Sequence, residues 1–269
     1  MTIREITCKT ALVKSGLPGF EYALNPYRGC THACVYCYAP SILKYKGEEK
    51  WGDFVEVKRN MPRVLAREIR GGRRRGVIGI GTVTDPYQPA EEKYEVTRNC
   101  LEVLLNKGFP VNIQTKSTLV LRDIDLLKKL PHCEVGFTIT SVDDDVRERY
   151  EPGSSPYEEK LRAIRVLSEC GIGTWVFLGP IMPHITGKED DLERLVSDIA
   201  SYVDFIIVDK LRLKRGVWDD IESFLEGYDP DLIPVYRNIL NNETGYFEDV
   251  SSKIRSLCRK NNIKHEALF

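Results

Sequence analysis

Three cysteines fall close together in the string GCTHACVYCYAP: Cys30, then three residues, Cys34, then two residues, Cys37. Thiolates are strong ligands for soft metals, and a loop containing glycine can bring three of them toward one point. A ligand set that stops at three suits an iron–sulfur cluster with one iron left open, or a zinc ion held by three sulfurs with His32 or water as the fourth ligand. The remaining Cys8, Cys100, Cys133, Cys170 and Cys258 stand alone and read as small buried hydrophobes. Eight cysteines in 269 residues fall well short of a disulfide-stapled scaffold, so thiols are expected throughout.

The elements that must position this loop follow from the apolar pattern. From Tyr22 to Leu213, short β-branched runs alternate with amphipathic segments, the pattern of βα units on a parallel sheet. Candidate strands are Glu21–Asn25, Val77–Val83, Val111–Thr115, Glu134–Thr140, Gly173–Leu178 and Phe205–Lys210. Asn60 and Pro62 open a helix closed by Gly71 and Gly72; Tyr94–Asn106 stops before Gly108, and Arg122–Leu130 before Pro131. Ser155, Pro156 and Glu158 predict a capping box for a fourth helix closed by Gly171, and Thr186 with Glu189 a similar opening for a fifth over Lys188–Tyr202. Such units form an α/β partial TIM-type (βα)6 barrel or an open doubly wound sheet, and both put a site at the carboxyl ends of the strands. The adopted reading is an N-terminal extension at 1–20, a partial barrel at 21–215, and a C-terminal helical appendage at 216–269 that closes the barrel. Within the appendage, Trp218–Leu225 reads as helix, the stretch around Asp229, Pro230 and Pro234 as irregular, Val250–Asn261 as helix, and IKHEALF as a short tail.

Composition narrows the partners. At 42% apolar and 29% charged the chain carries enough apolar residues for a packed core, which excludes a disordered tail. Thirty-nine basic against 40 acidic residues leave a formal charge of -1, so no global field draws it to nucleic acid or an anionic membrane. No apolar run of about 18 residues exists and the start, MTIREITCKT, is polar, so no membrane span is expected and a cytoplasmic location is. Two local basic stretches stand out. RGGRRRG at 70–76 belongs to the bottom of the barrel and reads as a solvated loop. Lys210, Arg212 and Lys214, alternating with Leu211 and Leu213 and followed by Arg215, read either as a positive edge for a phosphate-bearing substrate or as a solvated face.

Cys-x3-Cys-x2-Cys on a loop after the first strand, ahead of a βα repeat, resembles the radical S-adenosylmethionine superfamily, and the longer string NPYRGCTHACVYCYAP resembles its spore photoproduct lyase-like branch. The resemblance covers about 20–215 and implies that Cys30, Cys34 and Cys37 hold a [4Fe-4S] cluster whose fourth iron binds S-adenosyl-L-methionine. One electron, from a donor such as ferredoxin or flavodoxin, then yields a 5′-deoxyadenosyl radical that abstracts hydrogen from a substrate; nucleic acid or nucleotide is favoured, with a peptide or small metabolite as the other reading. The resemblance further implies an adenine seat for Tyr36 and a hydrogen relay for Tyr36 and Tyr38, with packing beside the cluster as the other reading.

Family positions at strand ends match Thr84 and Asp85, Lys116 and Ser117, and Thr138, Thr140 and Ser141. Asp85 would accept from the ammonium or ribose while Lys116 and Ser117 meet the carboxylate or hydroxyls; alternatively Asp85 caps its own turn. Arg162 matches a recurring arginine of the branch, and Glu151 is read as half of a structural ion pair. Tyr87, His184, Lys210 and Arg212 are candidate substrate contacts. The sequence departs from the family in lacking a Gly-Gly-Glu motif and in having no cysteine between Cys37 and Cys100, where the lyases carry a hydrogen donor. The lyase reaction itself is therefore not expected, and Cys8 is the alternative donor, reaching over the barrel mouth. Two rivals are a zinc-binding nucleic-acid module without catalysis, which needs no large βα body, and an electron carrier, which usually closes its cluster with four protein ligands.

Overall fold

The computed structural model describes every residue except 72–74, 106, 215 and 243–244. Its strands are β1 (Thr2–Ile6), β2 (Val13–Lys14), β3 (Tyr22–Leu24), β4 (Tyr27–Arg28), β5 (Phe54–Lys58), β6 (Ile78–Ile80), β7 (Val111–Thr115), β8 (Cys133–Thr138), β9 (Gly173–Ile181), β10 (Phe205–Lys210) and β11 (Lys264–Ala267). All six sequence-predicted strands form, as β3 and β6 to β10, because Ile78, Ile80, Ile113, Val135, Val176, Ile206 and Val208 are removed from water in a sheet with helices between its strands. The order is β11-β10-β9-β8-β7-β6-β3-β2, parallel throughout except for β2 against β3. Its two edge strands are not paired with each other among the described residues, so this α/β sheet is open, as in a partial barrel.

The sequence reading missed several elements. β1, β5 and β4 make a separate three-stranded sheet beside the main one, with β1 parallel and β4 antiparallel to β5. The IKHEALF tail supplies β11, which pairs in parallel with β10. The stretch expected to be irregular contains a helix, Leu232–Asn241, with Pro234 in its first turn, where a backbone N–H has no helical acceptor in any case. Tyr94–Asn106 is two helices, Ala90–Tyr94 and Val96–Leu104, divided at Glu95, whose φ is +50°. Arg122–Leu130 is a 3-10 turn, Thr118–Asp123, running into Ile124–Leu127. Asn106 and Gly72, proposed helix ends, lie outside the described residues.

Both predicted capping hydroxyls serve elsewhere. The helix Tyr157–Glu169 is preceded by Pro156 without a side-chain cap, and Ser155 Oγ accepts instead from the Thr118 amide at 3.1 Å. Thr186 Oγ1 accepts from the Met182 amide at 2.9 Å, ahead of the helix Glu189–Ile199.

Two apolar clusters hold the molecule. The larger joins the parallel strands to their helices. The smaller gathers Tyr36, Tyr150, Met182, Ile185 and Leu211 against Val217, Ile221, Leu225 and Tyr236, so the helices Val217–Tyr228 and Leu232–Asn241 pack over the cysteine loop. No helix among the described residues is long and apolar enough to cross a membrane.

Candidate cofactor site at the cysteine loop

The loop is clamped from two sides. Gly29, at φ +83°, leads into it, and a Cβ there would run into the Phe54 carbonyl oxygen, so only glycine permits this approach to β5. The Gly29 carbonyl accepts from Thr84 Oγ1 at 2.7 Å and Gln88 Nε2 at 3.3 Å, while Gln88 Oε1 accepts from the Thr31 amide at 3.1 Å. From the segment after β8, the Tyr150 carbonyl accepts from the Val35 amide at 3.0 Å and the Gly153 amide donates to the His32 carbonyl at 3.2 Å. Tyr38, 44% exposed, donates its hydroxyl to the Thr82 carbonyl at 2.7 Å and so ties the loop's far end to the residues after β6.

Cys30, Cys34 and Cys37 are free thiols. Burial, followed by the Asp85 charge, pushes the Cys30 thiol up to about 12. Burial also carries Cys34 well above the usual range and raises Cys37, with Lys116 pulling both back. Thiols in such surroundings become thiolates when a bound cation displaces their protons. Among the described residues, no group of three or more His, Cys, Asp or Glu side chains is arranged to hold a metal ion. His32, the sequence candidate for a fourth zinc ligand, is 1% exposed and its Nδ1 lies 3.2 Å from Asp85 Oδ2. Tyr36 is buried with an unpartnered hydroxyl, its ring centroid 6.1 Å from that of Tyr150. The Lys116 ammonium lies 5.7 Å from the Tyr36 ring centroid and, among the described residues, forms no ion pair. Three reduced sulfurs, a free cation and an orphaned buried hydroxyl fit a sulfur-bound cluster carrying a small ligand with a carboxylate.

Several expected contacts take other roles. Thr84 is part of the clamp, and Asp85 accepts from the Tyr87 amide (2.9 Å), Thr115 Oγ1 (2.7 Å) and the Lys116 amide (2.7 Å). Its oxygens thus face the protein, the capping alternative, rather than a bound amine. Burial would raise this carboxyl, but the His32 charge and these donors hold it down at about 2. Ser117 Oγ accepts from the Leu119 amide, and Ser141 Oγ bridges the amide and carbonyl of Asp143. Thr138 Oγ1 accepts from Gln114 Nε2, and Thr140 Oγ1 donates to Glu151 while accepting from the Tyr150 hydroxyl.

The remaining candidates have other surroundings. Tyr87 is fully buried beside Asp123 and Glu91, which corrects its assignment as a substrate contact. Arg162 is on the exposed face of its helix. Cys8 exchanges backbone hydrogen bonds with the Asn60 side chain, near Lys58 and Glu68, and does not reach over the site. Lys210 points its ammonium at the Phe247 and Phe269 rings, and Arg212 holds Asp209 and the Leu268 carbonyl, so both fasten the C-terminal tail rather than forming a free positive edge. Arg215 lies outside the described residues. His184 is exposed, with φ +60°, its amide donating to the Tyr246 hydroxyl at 3.0 Å.

Glu151 does form the structural pair read from the sequence, but its partner, Lys160, was missed. Glu151 is fully buried; its Oε2 has no hydrogen-bond partner and lies 4.0 Å from Lys160 Nζ, which donates to the Thr138 carbonyl at 3.2 Å. Burial pushes the carboxyl up and the ammonium down. The signal was present: Lys160 stands three, four and seven residues before Ala163, Ile164 and Leu167, on the helix's buried stripe.

Comparisons with known proteins place the family and the fold. The profile described as Radical SAM superfamily matches residues 24–198. An uncharacterized protein of Methanocaldococcus jannaschii is 32% identical over 258 residues, covering 96% of this chain and 94% of its own. A Radical SAM Nalpha-GlyT isomerase of Pseudomonas phage M6 is 26% identical over 188 residues, 68% of this chain and 38% of that protein. A spore photoproduct lyase mutant with bound AdoMet and dinucleoside spore photoproduct superposes with a TM-score of 0.77 at 17% identity, covering 100% of this chain and 82% of that one, and so shares the fold.

Proposed function

Because this chain belongs to the radical SAM superfamily, we propose that Cys30, Cys34 and Cys37 hold a [4Fe-4S] cluster with S-adenosyl-L-methionine on its open iron. Given one electron, that pair supplies reductive cleavage of S-adenosylmethionine to methionine and a 5′-deoxyadenosyl radical that abstracts hydrogen from a substrate. The observation that carries the reading is the clamped loop: three free thiols, Cys30 buried and Cys34 and Cys37 half-buried, with the unpaired Lys116 ammonium beside the Tyr36 ring.

Lys116 is the cation for the methionine carboxylate, and the unpartnered Tyr36 hydroxyl is a hydrogen-bonding group beside it. Tyr36, Tyr150, Ile221 and Leu225 exclude water from this side of the loop, which protects a reactive intermediate. Tyr38 is a relay candidate through its hydroxyl, now on the Thr82 carbonyl. Thr84, Asp85, Gln88 and Thr140 act through the scaffold. A ferredoxin or flavodoxin is the proposed electron donor, and an open iron makes the loaded protein oxygen-sensitive.

A nucleic acid or nucleotide is the proposed substrate, supported by the dinucleoside in the structurally similar lyase. Lyase action on that photoproduct is not proposed, because Cys8 lies with Lys58 and Asn60 and no cysteine stands between Cys37 and Cys100. The test is anaerobic loading with iron and sulfide. The wild type should retain both, whereas Cys34→Ala should lose cluster assembly while its circular dichroism stays native. Unchanged iron and sulfide in Cys34→Ala would remove these ligands from the account.

A further inference from the structure

With Lys210 and Arg212 engaged by the tail, free positive charge must be sought elsewhere, and it collects on the helix Met61–Ile69. This helix buries Met61, Val64, Leu65 and Ile69, which turns Arg63, Arg67 and, at its end, Arg70 outward on one face. The three arginines and Lys9 line a groove of about 580 Å³ whose lining contains no carboxylate. Arg98, Arg194, Arg212 and Arg237 hold acidic side chains, but Arg63, Arg67, Arg70 and Lys9 hold none among the described residues. On a chain of formal charge -1, that is a local concentration of uncompensated cations.

We propose that this groove binds the phosphate backbone of a nucleic acid. At about 1.5 Å rise per residue the row from Arg63 to Arg70 spans roughly 10 Å, about three duplex steps of 3.4 Å per strand. Guanidinium forks match phosphate oxygens bidentately. An acidic protein is the weaker match, because protein interfaces centre on large apolar and aromatic anchors, whereas this groove's lining has no aromatic residue and only Cys8, Val64 and Ala66 beside the arginine stems. The helix runs from β5 into the start of β6, so its Arg70 end is opposite the strand ends that carry the cysteine site. A ligand touching both must be a polymer. This deepens the nucleic-acid reading of the substrate given above, on which its link to the reaction rests, and makes that substrate a polynucleotide rather than a free nucleotide.

The experiment is fluorescence anisotropy of the full-length protein with labelled single-stranded DNA, duplex DNA and RNA oligonucleotides across 50–200 mM salt, a range over which phosphate contacts weaken strongly. Arg63→Ala with Arg67→Ala should weaken binding to at least one of these by roughly tenfold and lower the salt slope by about 2. Arg255→Ala with Arg259→Ala, which removes equal charge from the exposed face of Tyr246–Lys260, should change neither. A thermal melt and iron content matching wild type would show the first variant to be folded and loaded. The proposal is overturned if both variants lose affinity equally, if neither does, or if free nucleotide monophosphate competes as well as the oligonucleotide. Loss of reduction by flavodoxin with unchanged oligonucleotide binding would assign the groove to an acidic protein instead and equally overturn it. Failure of the radical chemistry would appear in cluster loading and leave this binding result intact.

Discussion

Asp85 accepts from two backbone amides and the Thr115 hydroxyl while His32 lies 3.2 Å away, and together they hold its carboxyl at about 2 against burial. A carboxyl below its ordinary 3.8 stabilises the fold above about pH 4, and that contribution is lost as pH falls through 2. Asp85→Asn should therefore cost about 2 kcal/mol at pH 7 and flatten the fall in stability between pH 4 and 2. Urea midpoints at both ends of that range check this; an unchanged profile would contradict it. The Glu151–Lys160 pair behaves differently, since its oxygens and ammonium are buried with an imperfect 4.0 Å contact. Lys160→Met alone should cost about 3–5 kcal/mol, and the double variant with Glu151→Gln should recover most of it, both read by urea unfolding. Equal losses in the single and double variants would contradict the pairing. At this scale the sequence showed residue types but not partners. The cysteine trio stood out by its spacing and Lys116 by its place at a strand end, whereas nothing local distinguishes a ligand-facing Asp85 from one that faces the amide of Lys116, 31 residues away.

The loop after β6 is the element that gives the cysteine loop its shape, through Thr84 and Gln88 on the Gly29 carbonyl and Gln88 on the Thr31 amide. Gln88→Leu leaves those buried groups short of partners and should cost about 1–3 kcal/mol, with a matching loss of iron retention after anaerobic gel filtration. Native stability together with full iron retention would show that the clamp is dispensable. At the opposite edge β11 is fastened to β10 by Lys210 over Phe247 and Phe269. Lys210→Met should lower stability by roughly 1 kcal/mol in a thermal melt, whereas a side chain that only contacted substrate would leave the melt unchanged. Val111–Thr115 and Phe205–Lys210 were legible to the residue because β-branched residues, Val111 and Ile113 in one and Ile206, Ile207 and Val208 in the other, mark short strands between helical segments. β11 was not: Lys264–Ala267 alternates between exposed and half-buried polar residues, and its strand form depends on the open edge of β10. The helix Leu232–Asn241 was hidden by Pro234, which reads as a breaker unless its place in the first turn is known.

For the molecule as a whole, the parallel sheet supplies the strand ends and the C-terminal helices cover the cysteine loop that sits near them. The net charge of -1 described neither region faithfully, since it averages a set of thiols near Lys116 with a separate row of free arginines. The smaller apolar cluster was foreshadowed by reading the appendage as a cover, but its members come from segments far apart in the chain, and no local pattern announces Tyr36 against Ile221. The central claim is radical chemistry at Cys30, Cys34 and Cys37. Its most direct test is to supply dithionite and S-adenosylmethionine to the anaerobically loaded protein and quantify 5′-deoxyadenosine and methionine by mass spectrometry. The account predicts equal amounts of the two products from the wild type and none from Cys34→Ala. Loaded wild-type protein that yields neither product would contradict it.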